Sequence, residues 1–206
     1  MTSRICVGIC AVVLGLATGA EAGLEVIAPF IGDASEGYEG FIAGENGDLS
    51  IFGGDAVMSG GFVIGFSSFM GSTIVPHSGG LFAHWTAPVD FFFETPVSQF
   101  GGYIATNGGA DGGLVEFFGV NDQPLASADL DVLFLPGAAP YSWNGWISSD
   151  PITHVRVTGN GVLQGFLGFD DMQVTYFVPG PGAAALLLPV FLPGRRRRAS
   201  FETRRP

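Results

Sequence analysis

Apolar residues in this chain come in short runs broken by glycine, proline, asparagine and aspartate, and no long stretch keeps a 3.6-residue period. In the first half of the segment 23–178, residues 24–28, 49–52, 62–66 and 81–85 predict strands. In the second half, residues 89–94 carry Phe91, Phe92 and Phe93, a run apolar enough for a strand covered on both faces. Residues 114–120 and 130–135 follow at turn-separated intervals. His154, Arg156 and Thr158 then alternate with Val155 and Val157, one polar face against one apolar face. Residues 162–169 and 172–177 predict the last two strands. Glycine supplies 27 of these 156 residues, and each costs about 1 kcal/mol against alanine inside a helix. The pattern therefore predicts an all-β fold: a two-sheet antiparallel β-sandwich, in the jelly-roll version first, with a closed barrel as the alternative. No repeat period points to a propeller or solenoid.

The two ends follow other rules. Residues 1–22 combine Arg4, an apolar run over 5–16 and the small-x-small sequence Ala20-Glu21-Ala22 before Gly23. This is the pattern of a secretory signal peptide, predicted as an N-terminal signal helix that is cleaved; an uncleaved anchor is the alternative. The run is shorter than the roughly 20 residues a membrane span needs. Both cysteines, Cys6 and Cys10, fall inside it, so the processed chain would hold no disulfide, no zinc–thiolate site and no cysteine nucleophile. At the far end, Val178-Pro179-Gly180-Pro181 leads into an apolar stretch interrupted by Pro189 and Pro193. Gly194 and the cluster Arg195, Arg196, Arg197 and Arg198 follow. A Pro-rich break, a short hydrophobic tail and an arginine stop match a positive-inside membrane contact. The organisation read here is a signal peptide over 1–22, a β domain over 23–178, a tail over 179–198 and a disordered terminus over 199–206.

That tripartite tail resembles the PEP-CTERM sorting signal of exported bacterial proteins, with Pro179 and Pro181 as its two prolines and Gly180 where the family usually has glutamate. The resemblance covers about 20 residues. It implies recognition by an exosortase-like membrane enzyme, transient membrane contact through the tail, and delivery to the cell surface, cell envelope or extracellular matrix of a bacterium. The late segment Gly168-Phe169-Asp170-Asp171-Met172-Gln173-Val174 also resembles exported jelly-roll modules of the galactose-binding type. That likeness implies a jelly roll in which a calcium ion ties the first and last strands.

Charge narrows the chemistry. All eight cations are arginine, and the formal net charge is −11. Within 23–178, Arg156 stands alone against 17 acids, a net charge of −16. Such a surface excludes nucleic-acid binding, which needs cations to displace counterions from phosphate. Without lysine there is no Walker-type phosphate loop and no Schiff-base chemistry. The Gly-x-Ser-x-Gly, His-Glu-x-x-His and Gly-rich dinucleotide motifs are missing as well. Asp170 and Asp171 are consecutive in a predicted strand and are expected to point to opposite faces, so they do not form a glycosidase pair by themselves.

Two positive leads remain. Hard cations take carboxylate oxygens. Glu36 and Glu39 early in the domain, with Asp170 and Asp171 late in it, are the candidate ligands of a structural Ca2+; the alternative is that they keep an acidic protein soluble. The second lead is aromatic. Tyr141-Ser142-Trp143-Asn144-Gly145-Trp146 contains an Asn-Gly turn signal that predicts a hairpin pairing Trp143 with Trp146 across two strands. Exposed, that pair would stack on sugar rings, extended by Trp85, Tyr103 and Tyr141, with Arg156 as a ligand contact or an ion-pair partner. The functional expectation is an exported, non-catalytic surface or matrix protein that binds polysaccharide. A secreted carbohydrate-active hydrolase and a purely structural matrix protein are the alternatives.

Overall fold

A computed structural model describes residues 23–86 and 88–180. The expected signal helix and the tail from Pro181 onward lie outside these residues. Thirteen strands follow in chain order: β1 (Leu24–Val26), β2 (Ala34–Glu36), β3 (Asn46–Ile51), β4 (Ala56–Ile64), β5 (Ser67–Phe69), β6 (Ser72–Ile74), β7 (Phe82–Thr86), β8 (Val89–Thr106), β9 (Gly113–Phe118), β10 (Pro124–Asp129), β11 (Gly137–Ala138), β12 (Ser142–Gly159) and β13 (Phe166–Tyr176). Among the described residues the only helical segments are three 3-10 turns, Phe52–Gly54, Val120–Asp122 and Val162–Gln164. The fold is all-β, as the alternation of short apolar runs and turn residues predicts.

Hydrogen bonding joins ten strands in the order β10-β9-β12-β8-β13-β7-β4-β3, with β1 added on β12 and β2 on β13. The sheet closes on itself in barrel-like fashion, because β4 pairs with β7 through Phe62–Ile64 and with β8 through Ala56–Ser59. A small second sheet, β11-β6-β5, shares no ladder with it but packs on it, with Ile74 of β6 against Phe82 of β7 and Phe69 of β5 4.3 Å from Phe166 of β13.

Closure depends on two strands of 18 residues, β8 and β12, each of which serves two regions of the sheet. The first part of β8 buries Val89, Phe91 and Phe93, odd positions; the last part buries Phe100, Ile104 and Thr106, even ones. A strand alternates its faces strictly, so this change of parity requires an irregularity between them. The register shows it. Against β13, Thr175 pairs with Gln99 and Tyr176 with Val97, so Ser98 is an extra residue of β8. At the same place Ile147 pairs with Gln99 and Ile152 with Val97, so four residues of β12 bulge outward. Pro96 and Pro151 sit at this bend, where a residue without an N–H costs no ladder bond. Folding β8 back brings its own rings together. Phe91 lies 5.2 Å from Phe100 and 5.4 Å from Phe169, inside a core that also holds Phe117, Trp146, Met58 and Met172.

Several sequence expectations need correction. The expected strands at 162–169 and 172–177 are one strand, β13, running through the Asp170-Asp171 pair. Residues 130–135 form no strand, although Leu130 and Val132 are buried. The buried Asn144 side chain replaces a strand partner there: its Oδ1 accepts the Asp131 N–H at 2.8 Å and its Nδ2 donates to the Asp131 carbonyl at 2.9 Å. Asn144 and Gly145 make no hairpin turn. Both lie near the start of β12, opposite Gly102 and Gly101 of β8.

Candidate functional site

The sheet face turned away from the core carries a row of rings. Trp143 of β12 and Tyr103 of β8 are direct cross-strand partners, and Asp170 of β13 faces Tyr103 from the other side. Trp143 and Tyr103 meet edge-to-face at 5.4 Å, and Phe30 packs on Trp143 in the same way at 5.7 Å. The imidazole of His77 then stacks on Tyr103, 3.7 Å between centroids and 14° from parallel, with Tyr141 edge-on to it at 5.6 Å. Edge-to-face and offset arrangements suit the ring quadrupoles. The row fits because small residues lie beneath it. A Cβ on Gly145 would come within 2.6 Å of the Trp143 indole nitrogen, and one on Gly101 within 2.9 Å of the same ring. The indole N–H donates to the Ile27 carbonyl at 3.0 Å, so the segment after β1 fixes the ring's orientation.

Two consecutive aspartates hold the loop that presents His77. Asp170 is fully buried, and its carboxylate accepts three backbone amides: His77 at 2.7 Å, Ser78 at 3.1 Å and Asp171 at 2.8 Å. Burial pushes its carboxyl up to about 6, with the charge of Asp171 adding to the rise, while the three amides pull the other way by favouring the charged form. Asp171 takes a left-handed backbone conformation, φ 46°, at a break in the β13–β8 register. That bulge explains a correction: the two carboxylates do not point to opposite faces but converge on one loop. Asp171 accepts the Ser78 hydroxyl on one oxygen and the His77 Nδ1 on the other, both at 2.8 Å. An ionised carboxylate has no proton to give, so Nδ1 carries the hydrogen and the Nε2 of a neutral His77 is an acceptor.

The remaining candidates divide as follows. Trp146 is 1% exposed, stacked on Phe100 with Phe117 edge-on to it, so it is core and not the partner of Trp143 at a surface. Trp85 packs against the main core beside Gly60 and does not join the row. Tyr141 does join it, but its hydroxyl is buried without a hydrogen-bond partner, and burial with the nearby Asp170 and Asp171 raises its pKa far above the ordinary range. Arg156 belongs to another part of the sheet, where its Nε donates to Asp90 at 2.7 Å. The acids considered for calcium do not join the first and last strands: β1 pairs with β12, and it is the second strand, β2, that sets Glu36 opposite Met172 of β13. Their oxygens accept backbone amides instead. Glu36 takes those of Tyr38 and Phe52, and Glu39 those of Gly80 and Leu81. Among the described residues no group of three or more His, Cys, Asp or Glu side chains is gathered for a metal ion. Of the tail, Pro179 and Gly180 are exposed and outside any strand; Pro181, Arg195, Arg196, Arg197 and Arg198 lie outside the described residues.

Sequence reasoning missed His77, Ser78 and Phe30 as neighbours of Trp143. No local motif marks them; the bulge at Asp171 brings His77 and Ser78 there, and the segment after β1 brings Phe30. No protein-family model matches this chain, and no curated protein matches it in sequence. Solved structures similar to it include a DUF4465 family protein from Bacteroides caccae. That likeness has 10% identity and a TM-score of 0.43 and covers 80% of this chain and 97% of that one. Another is a glycoside hydrolase family 43 arabinoxylan arabinofuranohydrolase from Bacillus subtilis in complex with cellotetraose. Its identity is 12% and its TM-score 0.36, over 59% of this chain and 26% of that one.

Proposed function

We propose that this chain is an exported, non-catalytic β-sandwich module of jelly-roll type that contacts extracellular polysaccharide through the Phe30–Trp143–Tyr103–His77 row. The observation that carries the reading is the combination on one sheet face of fixed rings with a polar end. The His77 Nε2, the Ser78 hydroxyl and the Asp171 carboxylate lie beside the outermost ring, as hydroxyl recognition next to ring packing requires. The two-layer reading is supported by the folded-back β8, whose halves put Phe91 against Phe100. Export to the cell surface or matrix, with an exosortase-like enzyme as partner, rests on the end sequences alone. The non-catalytic reading is supported by Asp170, which is fully buried among amides and out of reach of a sugar, and by Ser78, whose hydroxyl donates to Asp171 and not to an imidazole.

Affinity electrophoresis in gels containing neutral polysaccharides tests it. The wild type should be retarded, Trp143→Ala and His77→Ala should migrate as in polysaccharide-free gels, and Trp85→Phe should behave as wild type. Free migration of the wild type through every polysaccharide, or equal retardation of all four proteins, contradicts the reading. Turnover of chromogenic glycosides that is lost in Asp171→Asn would replace it with the hydrolase alternative.

A further inference from the structure

On the part of the sheet that carries Arg156, one histidine faces carboxylates with both of its ring nitrogens. His154 of β12 is 6% exposed and lies between two phenylalanines, Phe92 of β8 at 4.4 Å and Phe118 of β9 at 4.7 Å, both stacked. Its Nε2 is 2.7 Å from Asp90 Oδ1, an oxygen that also accepts the Arg156 Nε at 2.7 Å. Its Nδ1 is buried without a hydrogen-bond partner, and the Oδ1 of Asp122 is 3.6 Å away. Asp122 is 81% exposed and belongs to the turn joining β9 to β10.

A carboxylate accepts and does not donate, so the hydrogen between His154 and Asp90 must sit on Nε2. In the neutral imidazole Nδ1 then carries only a lone pair, which faces the oxygen of Asp122 unfavourably and leaves the 3.6 Å gap. Adding a proton to Nδ1 turns that contact into a charge-assisted hydrogen bond. The other groups around the ring leave this contrast in place. Arg156 is held by Asp90, with Glu116 of β9 opposite it. On the other side of Asp90, β4 contributes Ser59, which is bonded to Asp48 of β3. At the end of β9, β10 contributes only Pro124 opposite Phe118.

We infer that His154 is a proton-operated clasp: protonation of Nδ1 draws Asp122 in and docks the turn Val120–Asp122 onto the sheet, and deprotonation releases it. The turn is suited to this movement. Its base is pinned by the Thr153 hydroxyl, which donates to the Gly119 carbonyl at 2.7 Å, while Asn121 and Asp122 beyond it sit at φ 59° and 55° on the surface. The clasp also sets one end of β10, which with Glu116, Phe117 and Phe118 lines a groove of about 290 Å³. Protonation of His154 would therefore adjust the shape of that groove.

NMR of the whole β domain tests the clasp. Imidazole nitrogen signals of His154 and backbone amide signals of residues 120–123 are followed between about pH 5 and 8, where a histidine changes charge. The expected result is that the turn amides move with the same midpoint as His154. In Asp122→Asn the imidazole should still titrate while the turn amides no longer follow, and in His154→Gln the turn response should vanish. Turn amides that stay still in the wild type, that respond equally in Asp122→Asn, or an imidazole that keeps one protonation state throughout would each overturn the inference.

Discussion

At His84 the fold carries an imidazole into its interior, where the ring stacks 5.4 Å from Phe166 and its Nε2 lies 3.1 Å from the Ser67 hydroxyl. Burial disfavours the charged form and lowers the pKa from 6.5 to about 4. Between those values the unfolded chain binds a proton that the native chain refuses. Stability must therefore fall as the pH drops from about 6.5 to about 4, and this contribution levels off below. The shift corresponds to roughly 3 kcal/mol across the window. Asp170, raised to about 6, takes up its proton in the folded chain over much of the same window and opposes this slope. Urea unfolding at a series of pH values should therefore show the His84 contribution as a difference between wild type and His84→Phe that grows as the pH falls; a difference that does not change with pH would assign acid sensitivity elsewhere. Asp170 makes the opposite kind of contribution, as an acceptor. In Asp170→Asn an NH2 group would face amide donors, leaving buried N–H groups unpaired at a cost of about 1–3 kcal/mol. A lowered urea midpoint with faster hydrogen exchange at His77 and Ser78 is the expected result.

Strand-level geometry explains how the row of rings can exist. Gly145 and Gly101 face each other across β12 and β8, and the Trp143 indole lies over both. Gly145→Ala should push the indole off its seat and cost about 1–3 kcal/mol, the usual range for overpacking. The measurement is a melting curve with tryptophan fluorescence: a lower midpoint with a shifted emission is expected, and neither change would mean that the glycine floor is not needed. How much of this was legible in the chain depends on where each constraint resides. The runs around Leu49, Phe62, Phe82 and Phe117 mark real strands, because alternation and β-branched or aromatic content are local properties. The parity change in β8 was not legible, since Pro96 marks a break but the number of bulged residues is set by the partner strand around Pro151. Residues 130–135 look like a strand because of their apolar content, yet they form no ladder: Asp131 bonds to the Asn144 side chain, Leu130 and Val132 to the backbone of Gly113 and Gly112, and the Phe134 N–H donates to the Asp111 carboxylate. Asn-Gly at 144–145 is a strong turn signal in isolation; here the pairing of β12 with β8 on the one side and β1 on the other keeps it extended.

For the whole molecule, charge and shape set which polymers can approach. The segment 23–178 carries a net charge of −16, and its one arginine is bound to Asp90. A surface of one sign repels polymers of the same sign, and salt screens that repulsion. Polyuronates should therefore fail to retard the protein in low-salt affinity electrophoresis while neutral glucans or xylans do retard it. Stronger retardation by the anionic polymer at low salt would show that the charge pattern has been misjudged. The candidate site was legible in part: Trp143, Tyr103 and Tyr141 stand out as aromatic, whereas His77 reaches them only through the bulge at Asp171, a feature that no sequence motif announces.

The most direct measurement is an NMR titration of the β domain with a neutral oligosaccharide that retards it in gels. The expected result is a cluster of perturbed signals at Tyr103, Trp143, His77 and Ser78, with the signals of Trp146 and Arg156 unmoved. Perturbations centred on the β9–β10 groove, or none at saturating sugar, would contradict the assignment of this face as the polysaccharide contact.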